Sequence, residues 1–404
     1  MSFKCSQKAE MRPAIFFSFT LWLRLAVVLG LSQTQATRRD VLLAAQQASA
    51  ATAFGVLLSS PNEAEAVRDT GETATYLHNQ SRLLLPNSKT KALTIPRIGY
   101  SMYKTTADQI EAGIQLALQA GARHFDVATQ YGTNPVVGET LRSYIHQGLS
   151  SEYTPTSIIP KSPQERRREI FLTHKISNDE QSTKPREVKN AIISQQRGPL
   201  KGIDVDLAML HSPLTDKSRR LASYEALLDL EAKSKIKAVG VCHFGVAALQ
   251  ELVDAGLPAP SVIQLIISPF NQHKDIVEWA SKHDSVVSCS AWSKLSSVEG
   301  PQIGWSVLGE IAKEKSMTKQ QVLIQWTLQK GFICTPRGSS KFNIERMAIQ
   351  ENSWDAVQDF RLTETEMDIL DGLDEQLPAG RLGIRDGWDE SQITDPAWDP
   401  TFIS

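Results

Sequence analysis

A chain of 404 residues exceeds one average domain and leaves room around a single α/β barrel of roughly 250 residues. Its formal net charge of −2, with 43 basic and 45 acidic residues well mixed, gives no footprint for nucleic acid. Of four cysteines, Cys5 lies near the start, while Cys242, Cys289 and Cys334 sit in apolar runs. Without paired spacing or a nearby histidine cluster, they argue against a disulfide framework and a zinc site, and read as small core residues.

Residues 1–66 read as a targeting leader and stand apart from the fold. Met11–Arg39 contains no acid, and Ala14–Leu31 is an apolar run interrupted by Ser18 and Arg24. Such a run suits a signal h-region better than a stable span, although a single membrane anchor is the alternative. Directly behind it come Thr37-Arg38-Arg39-Asp40-Val41-Leu42-Leu43, an alanine-rich segment and Ala64-Glu65-Ala66. Paired arginines, a weakly hydrophobic stretch and an A-x-A site form a twin-arginine export signal. Stacked in this order, the two signals resemble the bipartite leader of plastid proteins bound for the thylakoid lumen, with retention in the stroma as the alternative. Cleavage after Ala66 leaves 67–92 as a polar lead-in.

From Leu93 the pattern becomes regular. Leu93–Gly99 predicts a short strand or ribbon, Thr106–Ala120 a helix, and Phe125–Ala128 the next strand. A polar turn with Tyr131 leads into a helix over Pro135–His146. Gln147–Arg166 is polar and aperiodic, and reads as an inserted surface loop. The alternation then resumes: strand Ile170–Lys175, helix Pro185–Gln196, strand Val205–Leu210, helix Ser218–Lys235, strand Ala238–Phe244, helix Val246–Ala255. After it come strand Ser261–Ile267, helix Lys274–Lys282 and strand Val286–Ala291. Helices over Trp305–Lys315 and Thr318–Gln329, a last strand Phe332–Thr335, and helices near Ile344–Glu351 and Thr363–Leu373 complete the series.

The strands are near-continuous apolar runs, as parallel strands buried on both faces must be. About eight βα repeats predict an α/β fold, a (β/α)₈ TIM barrel over 93–375. An open dinucleotide fold needs a G-x-G-x-x-G at its first helix, and the chain has none. The tail 376–404, rich in Gly, Pro, Asp and Trp, reads as a loop across one end, with Trp388, Trp398 and Phe402 as candidates to line a pocket.

In such a barrel the chemistry sits at the carboxyl ends of the strands. There the sequence places Asp126 and Tyr131, Lys175, His211, Cys242-His243, Gln264, Trp292-Ser293, and Arg337 to Lys341. Four of these compose a proton donor. Tyrosine titrates near 10 in water, and an adjacent Lys175 would stabilise its phenolate. Asp126 would hold the lysine charged, and His211 would donate to a substrate oxygen. Each alone reads equally well as a capping or surface group; together on one face they compose a site.

At this point the chain resembles the aldo-keto reductases over Leu93 to about Leu373. The likeness rests on H-F-D-V-A-T-Q-Y-G (124–132) with V-G-E-T-L (137–141), R-E-I-F-L-T-H-K (168–175) and D-L-A-M-L-H-S-P (206–213). It continues in I-K-A-V-G-V-C-H-F (236–244), Q-V-L-I-Q-W-T-L (321–328), P-R-G-S-S-K (336–341) and E-N (351–352). The resemblance implies a catalytic tetrad of Asp126, Tyr131, Lys175 and His211, with Tyr131 as general acid. It also implies NADPH lying across the barrel mouth, reducing a small-molecule aldehyde or ketone.

On that placement, Cys242, His243 and Gln264 hold the nicotinamide carboxamide, and Trp292 stacks on its ring. Ser293 and Leu295 meet the pyrophosphate. Arg337, Ser339, Ser340, Lys341 and Arg346, with Asn352, make a basic, hydroxylic pocket suited to a 2′-phosphate. Departures accompany the match. Family members usually carry Ser-Asn where this chain has Cys242-His243, and a thiol is a weak donor. Ser101 and Met102 replace the usual glycine and threonine of the first-strand turn. Two other readings stay open: an NADPH-binding regulatory subunit with little turnover, and a Schiff-base lyase using Lys175.

Overall fold

The computed structural model describes residues 82–103, 105–119, 121–149, 161–290, 302–336 and 361–374, with backbone alone over 302–306. The leader, the helix expected near Ile344–Glu351 and the tail 376–404 lie outside the described residues.

A hairpin comes first. β1 (Arg82–Leu84) pairs antiparallel with β2 (Thr94–Pro96), Leu83 opposite Ile95. The Arg82 guanidinium donates to the Thr94 hydroxyl at 2.8 Å and closes the ribbon. Behind it strands alternate with helices, singly or in pairs. β3 (Gly99–Ser101), β4 (His124–Ala128), β5 (Phe171–Ile176), β6 (Leu207–Leu210), β7 (Ala238–Cys242), β8 (Val262–Leu265), β9 (Val286–Cys289) and β10 (Ile333–Cys334) form one sheet. Every neighbouring pair is parallel and follows sequence order.

The last strand returns to the first. Cys334 N donates to Arg97 O at 2.8 Å, Ser101 N donates to Pro336 O at 3.0 Å, and Ile98 bridges Cys334 in parallel. The sheet is therefore a closed eight-stranded barrel with no free edge.

Parallel strands need crossovers, and helices supply them: α1 (Ala107–Gln119), α2 (Asn134–Gln147), α3 (Pro163–Glu169), α4 (Pro185–Arg197), α5 (Lys217–Ala232), α6 (Val246–Asp254), α7 (Lys274–Lys282), α8 (Gln302–Glu314) and α9 (Lys319–Gln329); α10 (Glu364–Asp371) follows the last strand. The barrel interior is a packed core of Phe171, Leu207, Met209, Ala238, Cys242, Val262 and Ile333. Leu85 and Ile95 from the hairpin join that core, so the hairpin plugs the amino-terminal end. Asn87 and Ser88 in its turn fasten it there, donating to His283 O at 2.8 Å and Lys237 O at 2.6 Å.

Two expectations change. Residues 82–84, expected in a polar lead-in, form a strand, because Leu83 and Leu85 are needed at the barrel floor. The stretch expected to be aperiodic over 147–166 contains the start of α3. Ser162-Pro163-Gln164-Glu165 is a capping box with proline at the first helical position: Ser162 N donates to Glu165 Oε2 at 2.7 Å and Glu165 N to Ser162 Oγ at 3.3 Å. Residues 150–160 of that segment lie outside the described residues.

Candidate active site

The pleat decides which side chains enter the barrel. Phe171 faces the interior, so Thr173 and Lys175 on β5 do too, and the register brings His124, Asp126 and Ala128 of β4 to the same face. Gly99 makes room at the lowest level, since a Cβ there would lie 2.7 Å from His124 Nδ1. The His124 ring then reaches Thr173 Oγ1 at 2.9 Å and Pro96 O at 3.3 Å. Burial pulls its imidazole down to about 4, more strongly than Asp126 raises it.

Above this level sit the chemical groups. Asp126 and Lys175, both buried, form an ion pair through Oδ1 and Nζ. Gln264 crosses from β8 to complete it: its Nε2 donates to Asp126 Oδ2 at 2.8 Å, and its Oε1 accepts from Lys175 Nζ at 3.2 Å. Burial alone would lower the lysine pKa; Asp126, and then Tyr131, more than reverse this and hold the ammonium above its ordinary range. Lys175 is thus a fixed cation.

Tyr131 reaches the mouth on a short 3₁₀ turn, Thr129–Tyr131, which continues straight from β4. Gly132 stops it in the left-handed region at φ 67°, a conformation glycine adopts without steric cost. Lys175 Nζ lies 5.4 Å from the centroid of the phenol ring. His211, carried just past β6, meets the ring edge-on at 5.9 Å and 73°. Tyr103 meets it too, at 5.6 Å and 58°.

Burial raises the Tyr131 phenol above its ordinary value, and Lys175 opposes without reversing it. That corrects the expectation of a lowered pKa. The group stands as neutral phenol at physiological pH, which is the state an acid must occupy before it gives a proton. His211 is likewise held neutral, mainly by burial and then by the Lys175 charge. Its Nδ1 is buried without a hydrogen-bond partner among the described residues.

Cys242 and His243 end β7. The Cys242 thiol lies 3.8 Å from Gln264 Oε1 and 4.0 Å from Met209 Sδ. His243 is buried, in the left-handed region at φ 60°, with its backbone N donating to Gln264 O at 2.9 Å. The structure therefore brings Asp126, Tyr131, Lys175, His211, Cys242, His243 and Gln264 to one mouth. Trp292, Ser293, Leu295, Arg337, Ser339, Ser340, Lys341, Arg346 and Asn352 lie outside the described residues. Tyr103 is a wall of the site that sequence reasoning passed over. Its signal was an aromatic two residues beyond β3, in the turn where Ser101 and Met102 drew notice instead.

Comparison with known proteins settles the lineage. The model of the Aldo/keto reductase family matches residues 97–298, which carry β3 to β9 and the residues that meet at the mouth, from Tyr103 to Gln264. The chain belongs to the aldo/keto reductase family. Methylglyoxal reductase DkgA of Salmonella typhimurium is 26% identical over 281 residues, covering 70% of this chain and 90% of that protein. An uncharacterized oxidoreductase of Schizosaccharomyces pombe is 31% identical over 256 residues, covering 62% and 81%. A crystal structure of an aldo/keto reductase from Brucella melitensis superposes with a TM-score of 0.57 at 25% identity, covering 70% of this chain and 96% of that one. As an aldo/keto reductase the chain has an enzyme's pedigree, and its barrel mouth is the place to look for the chemistry. Among the described residues no group of His, Cys, Asp and Glu is placed to hold a metal, and no helix is long and apolar enough to cross a membrane.

Proposed function

We propose that this aldo/keto reductase converts an aldehyde or ketone to the alcohol, with NADPH as reductant and Tyr131 as general acid. The observation that carries the reading is a buried Lys175, ion-paired with Asp126, set over the ring of a neutral Tyr131 beside a neutral His211. Methylglyoxal reductases among the relatives make small aldehydes the first substrates to try.

Bound NADPH supplies the hydride. The chain's own residues do the rest. His211, neutral, keeps one ring N–H to donate to the substrate oxygen and polarise the carbonyl. Tyr131 gives its proton to that oxygen as negative charge develops there. Lys175 stabilises the phenolate left behind, and Asp126 with Gln264 keeps the ammonium in place. Burial of these groups excludes water and strengthens each electrostatic contact. At the carboxyl ends of β7 and β8, the Cys242 thiol, the His243 imidazole and the second N–H of Gln264, whose first N–H is held by Asp126, would meet a carboxamide. The proposal gives Trp292, Ser293 and Leu295 the rest of the nicotinamide and pyrophosphate. Arg337, Ser339, Ser340, Lys341, Arg346 and Asn352 take the 2′-phosphate.

The test titrates NADPH and then NADH against the tryptophan fluorescence of the purified protein, with methylglyoxal and a panel of aldehydes and ketones run alongside. NADPH-selective quenching with turnover is the expected result. Quenching without turnover on the whole panel would replace the reductase by a cofactor-binding regulatory subunit. We also propose, from the paired arginines and A-x-A site alone, that residues 1–66 direct the chain to a plastid, its lumen first. A reporter fused behind Ala66 that stays in the cytosol would refute this.

A further inference from the structure

His174 stands immediately before Lys175 on β5 and points the opposite way, out of the barrel, fully buried. Its Nε2 lies 3.3 Å from the Thr129 hydroxyl and 3.2 Å from Asn134 Nδ2. Those two residues are the first and last of the six-residue stretch that carries Tyr131: Thr129 opens the 3₁₀ turn and Asn134 opens α2. Asn134 is tied in turn to α4, donating from Nδ2 to Gln195 Oε1 at 3.0 Å. One imidazole therefore grips both ends of the Tyr131 loop.

The ring's chemistry suits a fixed clamp. Both contacts fall on Nε2; with Asn134 Nδ2 as donor, Nε2 accepts, its one lone pair shared between Asn134 and Thr129, and the proton sits on Nδ1, which is buried without a hydrogen-bond partner among the described residues. Burial, and after it the Lys175 charge, pulls the imidazole down to about 3, so it stays a neutral acceptor at every physiological pH. No other described hydrogen bond joins the Thr129 or Asn134 side chain to the strand that carries Lys175. The turn itself offers little: Thr133 precedes α2 with no side-chain cap.

We infer that His174 is a positioning residue for the proposed reduction, holding the Tyr131 phenol in register with Lys175. Two adjacent residues on one strand thus share the task, Lys175 facing the phenol from inside and His174 fastening its loop from outside. This inference rests on the reading of Tyr131 as the acid, but its grip on the loop can be measured without catalysis.

The experiment compares wild type, H174F and H174Q by amide hydrogen exchange of peptides spanning 129–137 and by steady-state kinetics with NADPH and a carbonyl substrate. Phe fills the space without an acceptor; Gln restores one. Expected for H174F are faster exchange confined to 129–137 and a kcat lowered by about 100-fold, the scale of a small misplacement at a reacting group. The KM for NADPH should stay within about threefold, and H174Q should recover most of kcat. Unchanged exchange in H174F would overturn the inference, as would equal losses in kcat and KM that H174Q fails to rescue. If H174F exchanges faster over 129–137 as expected but the wild type reduces no carbonyl, the proposed function has failed while the clamp stands. Should H174F not fold, T129V removes one end of the grip at nearly constant volume, and the same loop exchange and kcat decide.

Discussion

Gln264 donates to Asp126 across the barrel mouth at 2.8 Å, joining residues 138 apart in sequence. Their strands, β8 and β4, are not neighbours in the sheet, so the contact spans the interior rather than a ladder. With the second contact from Lys175 Nζ, the amide serves both halves of the ion pair, donor to the carboxylate and acceptor from the ammonium. A buried pair survives desolvation only when its remaining lone pairs and protons are met, and Gln264 meets one of each.

Replacing Gln264 by Leu should therefore weaken the pair without removing it. Asp126 Oδ2 loses its donor in a dry site, at about 1–3 kcal/mol of stability. Denaturant unfolding at pH 7 measures this directly. A midpoint equal to wild type would mean that the amide is a bystander.

Asp126→Asn should do more. It leaves the Lys175 ammonium, 2% exposed, without a counter-charge, and removing one partner of a buried pair costs about 3–5 kcal/mol. The pH dependence carries a sign. The folded pKa of Lys175 lies above its unfolded value, so the pair's contribution is complete below about pH 10.4 and is lost as pH rises through the folded pKa. The stability gap between wild type and the Asn variant should accordingly stay constant from pH 6 to 9 and narrow only in strong base. The double variant D126L/K175M, with no charge to bury, should recover much of the stability while remaining inactive.

Tyr131→Phe removes the acid and little else, because the ring keeps its contacts with Lys175, His211 and Tyr103. Turnover should fall by about 10²–10⁴, the usual worth of a positioned proton donor, with NADPH binding by fluorescence unchanged. Wild-type turnover in this variant would sink the assignment of the acid.

Much of this was legible in the chain. Parallel strands buried on both faces must read as continuous apolar runs, so β4 to β9 show themselves, and strand ends mark the mouth. The floor did not show. β1 is three residues whose burial comes only from plugging a barrel built by everything after it, and no local period announces that. α3 did carry a local signal, Ser162-Pro163-Gln164-Glu165, which a search for apolar periodicity passes over because the helix buries none of its residues. The direction of the Tyr131 shift was misread for a related reason: the sequence displays the neighbouring cation, while desolvation, the larger effect, exists only in the folded chain.

Gly138 lies in the V-G-E-T-L stretch, and its place is set by contact rather than by backbone freedom. A Cβ there would come within 2.0 Å of the Pro199 carbonyl oxygen, beyond the end of α4. Backbone cannot swing aside as a side-chain tip can, so Gly138→Ala should push α2 off α4. Overpacking of this kind costs about 1–3 kcal/mol, and because α2 continues from the Tyr131 loop, kcat should drop with it. Thermal unfolding and kinetics on the same preparation check both. Full stability with full activity would show that the two helices separate freely.

Acid should unfold the protein through its histidines. His124 and His174 are buried as neutral rings, pulled down to about 4 and about 3, and His211 also lies well below its ordinary value. All three titrate near 6.5 when unfolded. A depressed folded pKa means that the unfolded state takes up protons first, so this stability is complete above about pH 6.5 and drains away as pH falls toward the folded values. Between about pH 6 and 4 each ring removes about 1.4 kcal/mol per pH unit. The unfolding free energy should therefore drop along a slope of two to three protons as pH is lowered through that window. His124→Asn keeps a polar side chain near Thr173 and cannot titrate; it should flatten the slope by one proton while lowering stability at pH 7.5. Equal slopes in wild type and variant would show that His124 is not buried neutral, and with it that the floor of the site is built differently.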